Sequence, residues 1–195
     1  GIIELSEEQK MIVEQVREFA QNEIAPKAAE IDQSGRFPRE LISQMGAMGL
    51  MGLNVPPEFD GAGLDYLTYA LVGEELNAAC ASTGVIFSAH NSLACGPMKK
   101  WGNPEQNKKW LAPMARGEKI GAFALSEPGS GSDAGALICT SVKQGDFYIL
   151  NGTKNWITNG PEADTVIVFT TLSTELKHRG VCAFVVEKEI GRAHV

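Results

Sequence analysis

The sequence changes rhythm once, near Gly117, and that change most constrains what the chain can fold into. From Leu5 to about Arg116, apolar residues recur at helical spacing. After Gly117 they come in short β-branched or aromatic runs, set apart by Gly and Asn. In "SEEQKMIVEQVREFAQNEIAP", residues Ile12, Val16, Phe19, Ala20 and Ile24 share a helical face. Ser6 with Gln9 is a capping-box pair at its start, and Pro26 interrupts or ends the helix. Further helices are predicted through "PRELISQMGAMG", through "YLTYALVGEELNAA" capped by Asp65, and through "STGVIFSAHNSLACG". "NPEQNKKWLAPMARG" opens with Asn103 as N-cap and Pro104 in the first turn. "VPPEFDGAGLD" is a loop on composition.

The later runs are "KIGAFALSEP", "ICTSVKQG", "DFYILNGTKNWITNG", "DTVIVFTTL" and "GVCAFVVEKE". They leave no room for helices between them, so this half is β and antiparallel by expectation. A helical half followed by a β half predicts an α+β multidomain chain. Its parts are an all-α bundle over residues 1–117 and an antiparallel β-barrel or sandwich over 118–195.

Composition narrows the function classes. A net charge of −7 argues against nonspecific nucleic-acid binding, which needs a basic surface. Cys80, Cys95, Cys139 and Cys182 form no C-x-x-C pair, and the three histidines lie far apart, so no metal site is expected. The cysteines read as free thiols of a reducing compartment. No apolar run reaches the ~20 residues of a membrane span. "GIIELSEEQK" is neither Arg-rich nor like a signal peptide; either no such segment existed or it has been removed.

Two stretches carry the chemistry. "FALSEPGSGSDAG" contains Gly129, Gly131 and Ala134, a G-x-G-x-x-A pattern after an apparent strand. A dinucleotide fingerprint would require a helix opening at that loop, but "AGALICTSVKQGDFYIL" runs straight back into strand character. What remains is a loop rich in backbone N–H groups and in the hydroxyls of Ser126, Ser130 and Ser132. It is either a polar turn or a place where a flat ring or a diphosphate meets the backbone closely. In "NGTKNWITNG", Trp156 and Thr158 are two residues apart, so on a strand they share a face. They read either as a core Trp with a neighbour or as a platform for a planar heteroaromatic.

Taken in order, "FALSEPGSGSDAG" and "LNGTKNWITNG" resemble the middle-domain signature of the acyl-CoA dehydrogenases. "FPRELISQMGAMGLMGLNVPPEFDGAGLDYLTYALVGEELNAACASTG" resembles that family's N-terminal helical domain. "KWGNPEQNKKWLAPMARGEKIGAFALSEP" resembles its passage into the β domain. The resemblance runs from Leu5 to about Ile190. "CASTGVIFSAHNSLACGP" and "GAGLDYLTYALVGEEL" look most like the short-chain (butyryl-CoA) members, with isovaleryl and other branched-chain members as near alternatives.

The resemblance implies FAD and removal of two hydrogens across the α,β bond of an acyl-CoA thioester. A carboxylate base takes the α-proton and the flavin takes the β-hydrogen as hydride. It implies that Phe123, Leu125 and Ser126 border the flavin, with Ser126 bonding its pyrimidine edge. Gly131 and Ser132 would approach the cofactor and the CoA thioester arm. Trp156 would pack against the isoalloxazine, with Ile157 and Thr158 near its edge and Thr158 bonding toward N5. Val85, Ile86 and Leu93 are candidates for the acyl pocket or else for plain helix packing. An electron transfer flavoprotein as acceptor and a homotetramer are implied as partners. A mitochondrial matrix location is implied for a eukaryotic source, and a cytoplasmic one for a bacterial source. The family's catalytic glutamate, further FAD contacts and tetramer interface belong to a C-terminal helical domain, and Glu127 does not match that glutamate. No catalytic base is therefore assigned. The expectation is a truncated or alternatively ended product of an acyl-CoA dehydrogenase gene, since "GRAHV" does not resemble the family's next strand. It is either the N-terminal part of the FAD-dependent enzyme, inactive alone for want of the base, or a non-catalytic flavin- or acyl-CoA-binding or interaction fragment.

Overall fold

Ser6 accepts a hydrogen bond from the Gln9 amide, and the Gln9 side chain accepts one from the Ser6 amide, both at 3.1 Å. This reciprocal cap starts α1, Glu7–Phe19, in the computed structural model, which describes residues 4–188. Pro26 does not end the helix. The chain passes through a π-helical segment, Ala20–Ile24, and a 3-10 turn, Ala25–Lys27, into α2, Ala28–Ser34. Proline lacks an N–H and crowds the preceding turn, and the change of winding accommodates both. Gly35, at φ 65°, then ends the helix with its N–H on the Ile31 carbonyl.

The helical unit continues with α3, Arg39–Ala47, and α4, Tyr66–Ala79. Asp65 caps α4 by accepting from the Thr68 amide at 2.7 Å. α5, Ala81–Ser88, runs through a π-helical segment, Ala89–Cys95, into α6, Gly96–Trp101. Asn103 and Gln106 cap each other around α7, Pro104–Gln106. A third π-helical segment, Asn107–Leu111, then leads into α8, Ala112–Ala115. Leu41, Met45, Met51, Leu76, Phe87, Leu111 and Met114 are fully buried and form the core of this unit. Gly52 lies against the Ala115 carbonyl, where a Cβ would sit 2.6 Å from the oxygen, so no larger residue fits.

The chain divides after Lys119, and the second unit is a five-stranded sheet. Its strands are β1, Gly121–Ala124; β2, Thr140–Gln144; β3, Phe147–Asn151; β4, Thr165–Thr171; and β5, Val181–Glu187. β4 is the centre, parallel to β1 and antiparallel to β5. β2 pairs antiparallel with β3 and meets β4 in parallel at the single pair Thr140–Thr171.

The expectation of a wholly antiparallel sheet is therefore corrected: the sheet is mixed. Residues 125–164 separate β1 from β4, a connection long enough to return the chain in the same direction. The hydrogen-bonded path among the described strands does not close on itself. Tyr148 on β3 nonetheless meets Phe184 on β5, with ring centroids 5.1 Å apart, so the hairpin curls over its neighbour. Helical unit and sheet unit follow in the predicted order.

Candidate functional site

The loop leaving β1 is more constrained than its composition implies. The Glu127 amide donates to the Ser130 carbonyl at 2.9 Å, and the Ser130 amide donates to the Glu127 carbonyl at 3.1 Å. This closes a tight reversal over Pro128 and Gly129. The Ser130 hydroxyl donates to the Asp133 carbonyl at 2.8 Å. After the loop comes one 3-10 turn, Ala134–Ala136, and then β2. The absence of a helix there removes the dinucleotide-fingerprint reading.

Glu127 is the residue that organises this loop. Its side chain is 2% exposed and takes three donors. The Ile138 amide is 2.7 Å from Oε2, the Cys139 amide is 3.0 Å from Oε1, and Lys154 Nζ is 2.7 Å from Oε1. Burial by itself would raise the Glu127 pKa. The two amides and the Lys154 ammonium outweigh that and hold the carboxyl below its usual range. A carboxylate bound this way is ionised and has no role left as a general base. Lys154 also donates to the Leu125 carbonyl at 3.0 Å, and the Asn155 amide donates to the Ser126 carbonyl at 2.9 Å. These bonds bring the two chemistry-bearing stretches, 125–133 and 154–158, into one site.

The second stretch is not a strand. β3 ends at Asn151, and residues 152–158 are irregular. At Gly152, φ 153°, a Cβ would lie 2.7 Å from Cys139, so the chain turns where only glycine fits. The strand alternation expected to align Trp156 with Thr158 is thus absent. The core-Trp alternative also fails, because Trp156 is 94% exposed. Trp156 adopts φ 60°, a left-handed conformation that a bulky residue rarely takes. Such strain costs of order 1–3 kcal/mol and persists where neighbours over-determine it. Here the bonds of Lys154 and Asn155 do so.

The other predicted residues lie as follows. Phe123 is half-buried on β1, its ring 4.7 Å from that of Phe169. Leu125, Ser126, Ile157 and Thr158 are half-buried, and Gly131 and Ser132 are exposed. A Cβ built at Gly129 or Gly131 meets no atom within 4 Å, so the loop backbone there is open to an approaching molecule. In the helical unit, Ile86 is buried in the core, whereas Val85 and Leu93 stand exposed. Val85 and Leu93 are eight residues apart, which exceeds two α-turns. The wider π-turn between them takes up the excess and brings them toward one face. Open glycine backbone, the Ser126 hydroxyl and an unburied indole together suit a planar heteroaromatic with polar edges.

Glu127, Lys154 and Asn155 were not among the expected site residues. The signal for them was present: an acid inside a Gly/Ser loop and a lysine in "GTKN", each out of keeping with its surroundings. Nothing in the spacing says that the two meet.

Residues 6–118 match the family described as "Acyl-CoA dehydrogenase, N-terminal domain", and residues 122–193 match "Acyl-CoA dehydrogenase, middle domain". The chain is 50% identical to a protein named short-chain specific acyl-CoA dehydrogenase, mitochondrial, of Bos taurus, covering 94% of this chain and 45% of that one. It is 46% identical to acyl-CoA dehydrogenase, short-chain specific, of Clostridium acetobutylicum, covering 94% and 48%. The solved structure of butyryl-CoA dehydrogenase from Megasphaera elsdenii superposes with a TM-score of 0.93 at 33% identity, covering 97% of this chain and 50% of that one. The chain thus spans about half the length of these relatives. With both domain families matched in order and the two signature stretches meeting in one site, the chain belongs to the acyl-CoA dehydrogenase family.

Proposed function

We propose that this chain is the N-terminal and middle part of an FAD-dependent acyl-CoA dehydrogenase. The enzyme converts short-chain acyl-CoA to trans-2-enoyl-CoA in fatty-acid β-oxidation. The observation that carries this reading is the docking of Lys154 and Asn155 on Leu125, Ser126 and Glu127, which leaves Trp156 exposed beside an open glycine loop. When bound, FAD supplies the two-electron acceptor of the dehydrogenation. The residues present fit it: Phe123, Leu125, Ser126, Trp156, Ile157 and Thr158 would border the ring system. Gly131 and Ser132 would admit the cofactor and the thioester arm, because no side chain occupies that space. The aromatic and aliphatic groups exclude water, and the Ser126 and Thr158 hydroxyls hold the orientation. Val85 and Leu93 would line the acyl pocket, whereas the buried Ile86 packs in the core of the helical unit.

Glu127, committed to its three donors, is not the base for the α-proton, and the family resemblance puts that base in a C-terminal helical domain. We further infer a homotetramer, an electron transfer flavoprotein as acceptor, and a β domain that becomes a barrel or sandwich when whole. The domain boundary falls near residue 117. Location follows source: the mitochondrial matrix in a eukaryote, the cytoplasm in a bacterium.

The test is flavin binding by the full-length protein and two variants. Purified wild type should carry FAD visible in its absorption spectrum. Thr158→Ala should shift the flavin reduction potential with little change in Tm, as one lost hydrogen bond is worth ~0.5–1.5 kcal/mol. Trp156→Ala should lose FAD on gel filtration while remaining folded. A wild type that binds no FAD, or variants that bind it with unchanged affinity and potential, would overturn the reading.

A further inference from the structure

We propose that the buried Glu127–Lys154 pair is the positioning element of the flavin face, holding Ser126 and the left-handed Trp156 in place before any cofactor arrives. This rests on the function proposed above. The pair is nearly sealed from solvent, with side chains 2% and 11% exposed. Its bonds end on separate parts of the chain: the exit of β1 at Leu125, the entry to β2 at Ile138 and Cys139, and the turn after β3 that carries Lys154 itself. The first and third of these parts carry the proposed flavin-bordering residues. Ser126 lies between the two loop residues that Lys154 holds, and Trp156 lies two residues beyond Lys154.

The chemistry explains why charge is used here. Two amides and one ammonium converge on one carboxylate, and all three need an acceptor. A glutamine would turn an N–H₂ group toward one of these donors. An apolar pair would fill the space but leave the Ile138 and Cys139 amides without their acceptor. Lys154 in turn donates to both Glu127 Oε1 and the Leu125 carbonyl, so one head group fixes the loop to the turn. Other bonds also tie this region together: the Asn159 side-chain amide, three residues beyond Trp156, donates to the Gly121 carbonyl at 3.2 Å. Asn155 to Ser126 is the neighbouring one, and it depends on the same approach of the two stretches. A strained, exposed indole needs such outside support to keep one conformation.

Lys154→Met, Glu127→Gln and the double variant test the proposal in the full-length protein. The double variant is included because each single change leaves a buried group unpartnered. All measurements are made at a temperature where circular dichroism shows the variant folded. Three quantities are read: the Trp156 indole N–H resonance of the apoprotein, the FAD dissociation constant, and the flavin reduction potential. The expected result, in the double variant above all, is a moved or broadened indole resonance without cofactor, FAD binding at least tenfold weaker, and a displaced potential. A folded double variant with the wild-type resonance, affinity and potential would overturn the positioning role and leave the pair merely stabilising. If the double variant does not fold, Lys154→Met replaces it, because it removes both bonds of Lys154 while the Ile138 and Cys139 amides keep Glu127 as their acceptor. It is read by the same criteria. Failure of the wild type itself to bind FAD would instead defeat the proposed function.

Discussion

Phe87 and Phe147 are the same side chain in opposite circumstances. Phe87 in the helical unit is fully buried and stacks with Tyr69 at 5.2 Å, whereas Phe147 in the sheet unit is 76% exposed. The contrast holds across the two units. The helical unit encloses long aliphatic and thioether side chains and a buried histidine, His90. The sheet unit is thinly covered, with four of the five residues of β3 exposed. The elements bearing the proposed flavin contacts are fixed there by a charge pair and backbone bonds. The comparison teaches that stability and site-building are separated. One unit is held by apolar burial, which is non-directional. The other is held where it matters by directional polar contacts, which can aim a loop.

The largest test concerns catalysis. This chain assayed alone with butyryl-CoA and an artificial electron acceptor should turn over at least ~100–10,000-fold more slowly than a full-length relative, because general-base catalysis is worth that much. Turnover near that of the relative would mean that the loops of the sheet unit do more than hold and orient.

Acid should separate the two units next. Burial lowers the His90 pKa from 6.5 to about 4, although hydrogen bonding to the Met114 and Met51 backbone favours the proton. The unfolded chain therefore binds more protons than the folded one between those values. The contribution of His90 is complete above about pH 6.5 and is lost as the pH falls toward 4, by roughly 3 kcal/mol in all. Glu127 has a lowered carboxyl pKa, so its contribution is present above the usual glutamate range and fails only at lower pH. Hydrogen exchange at pH 7 and pH 5 should show the helical unit loosening first, with the slope flattened in His90→Gln. Earlier loosening of the sheet unit would break the comparison.

A smaller effect is expected at Trp156. Trp156→Gly should raise stability by about 1 kcal/mol, because glycine takes φ 60° without strain and little buried surface is lost. FAD retention should fall in the same variant. A drop in Tm would mean that the indole packs in solution. The smallest effect belongs to Phe147→Ala, which should change stability by no more than about 0.5 kcal/mol. Phe87→Ala, its counterpart in the helical unit, should cost ~3–5 kcal/mol. Equal losses at the two positions would erase the contrast.

Much of this molecule was determined by sequence alone. Ser6, Asp65 and Asn103 start their helices because a side-chain oxygen reaches an amide three residues on, a contact that needs no distant partner. The order of helices first and short strands after follows from local periodicity for the same reason. The two signature stretches were legible as motifs, and so was the family.

Tertiary structure alone decided the rest. Pro26 interrupts its helix without ending it, because a 3-10 turn there carries the chain on into α2. The parallel pairing of β1 with β4 depends on where a long connection returns, which no local pattern encodes. Trp156 and Thr158 were aligned on a strand that does not exist, because Gly152 and the hold of Glu127 on Lys154 redirect the backbone there. Glu127 and Lys154 are 27 residues apart, and only folding brings them to 2.7 Å. Local bonding is set by neighbours in the chain. A buried charge pair is set by the packing that excludes water from it, and that packing belongs to the whole fold.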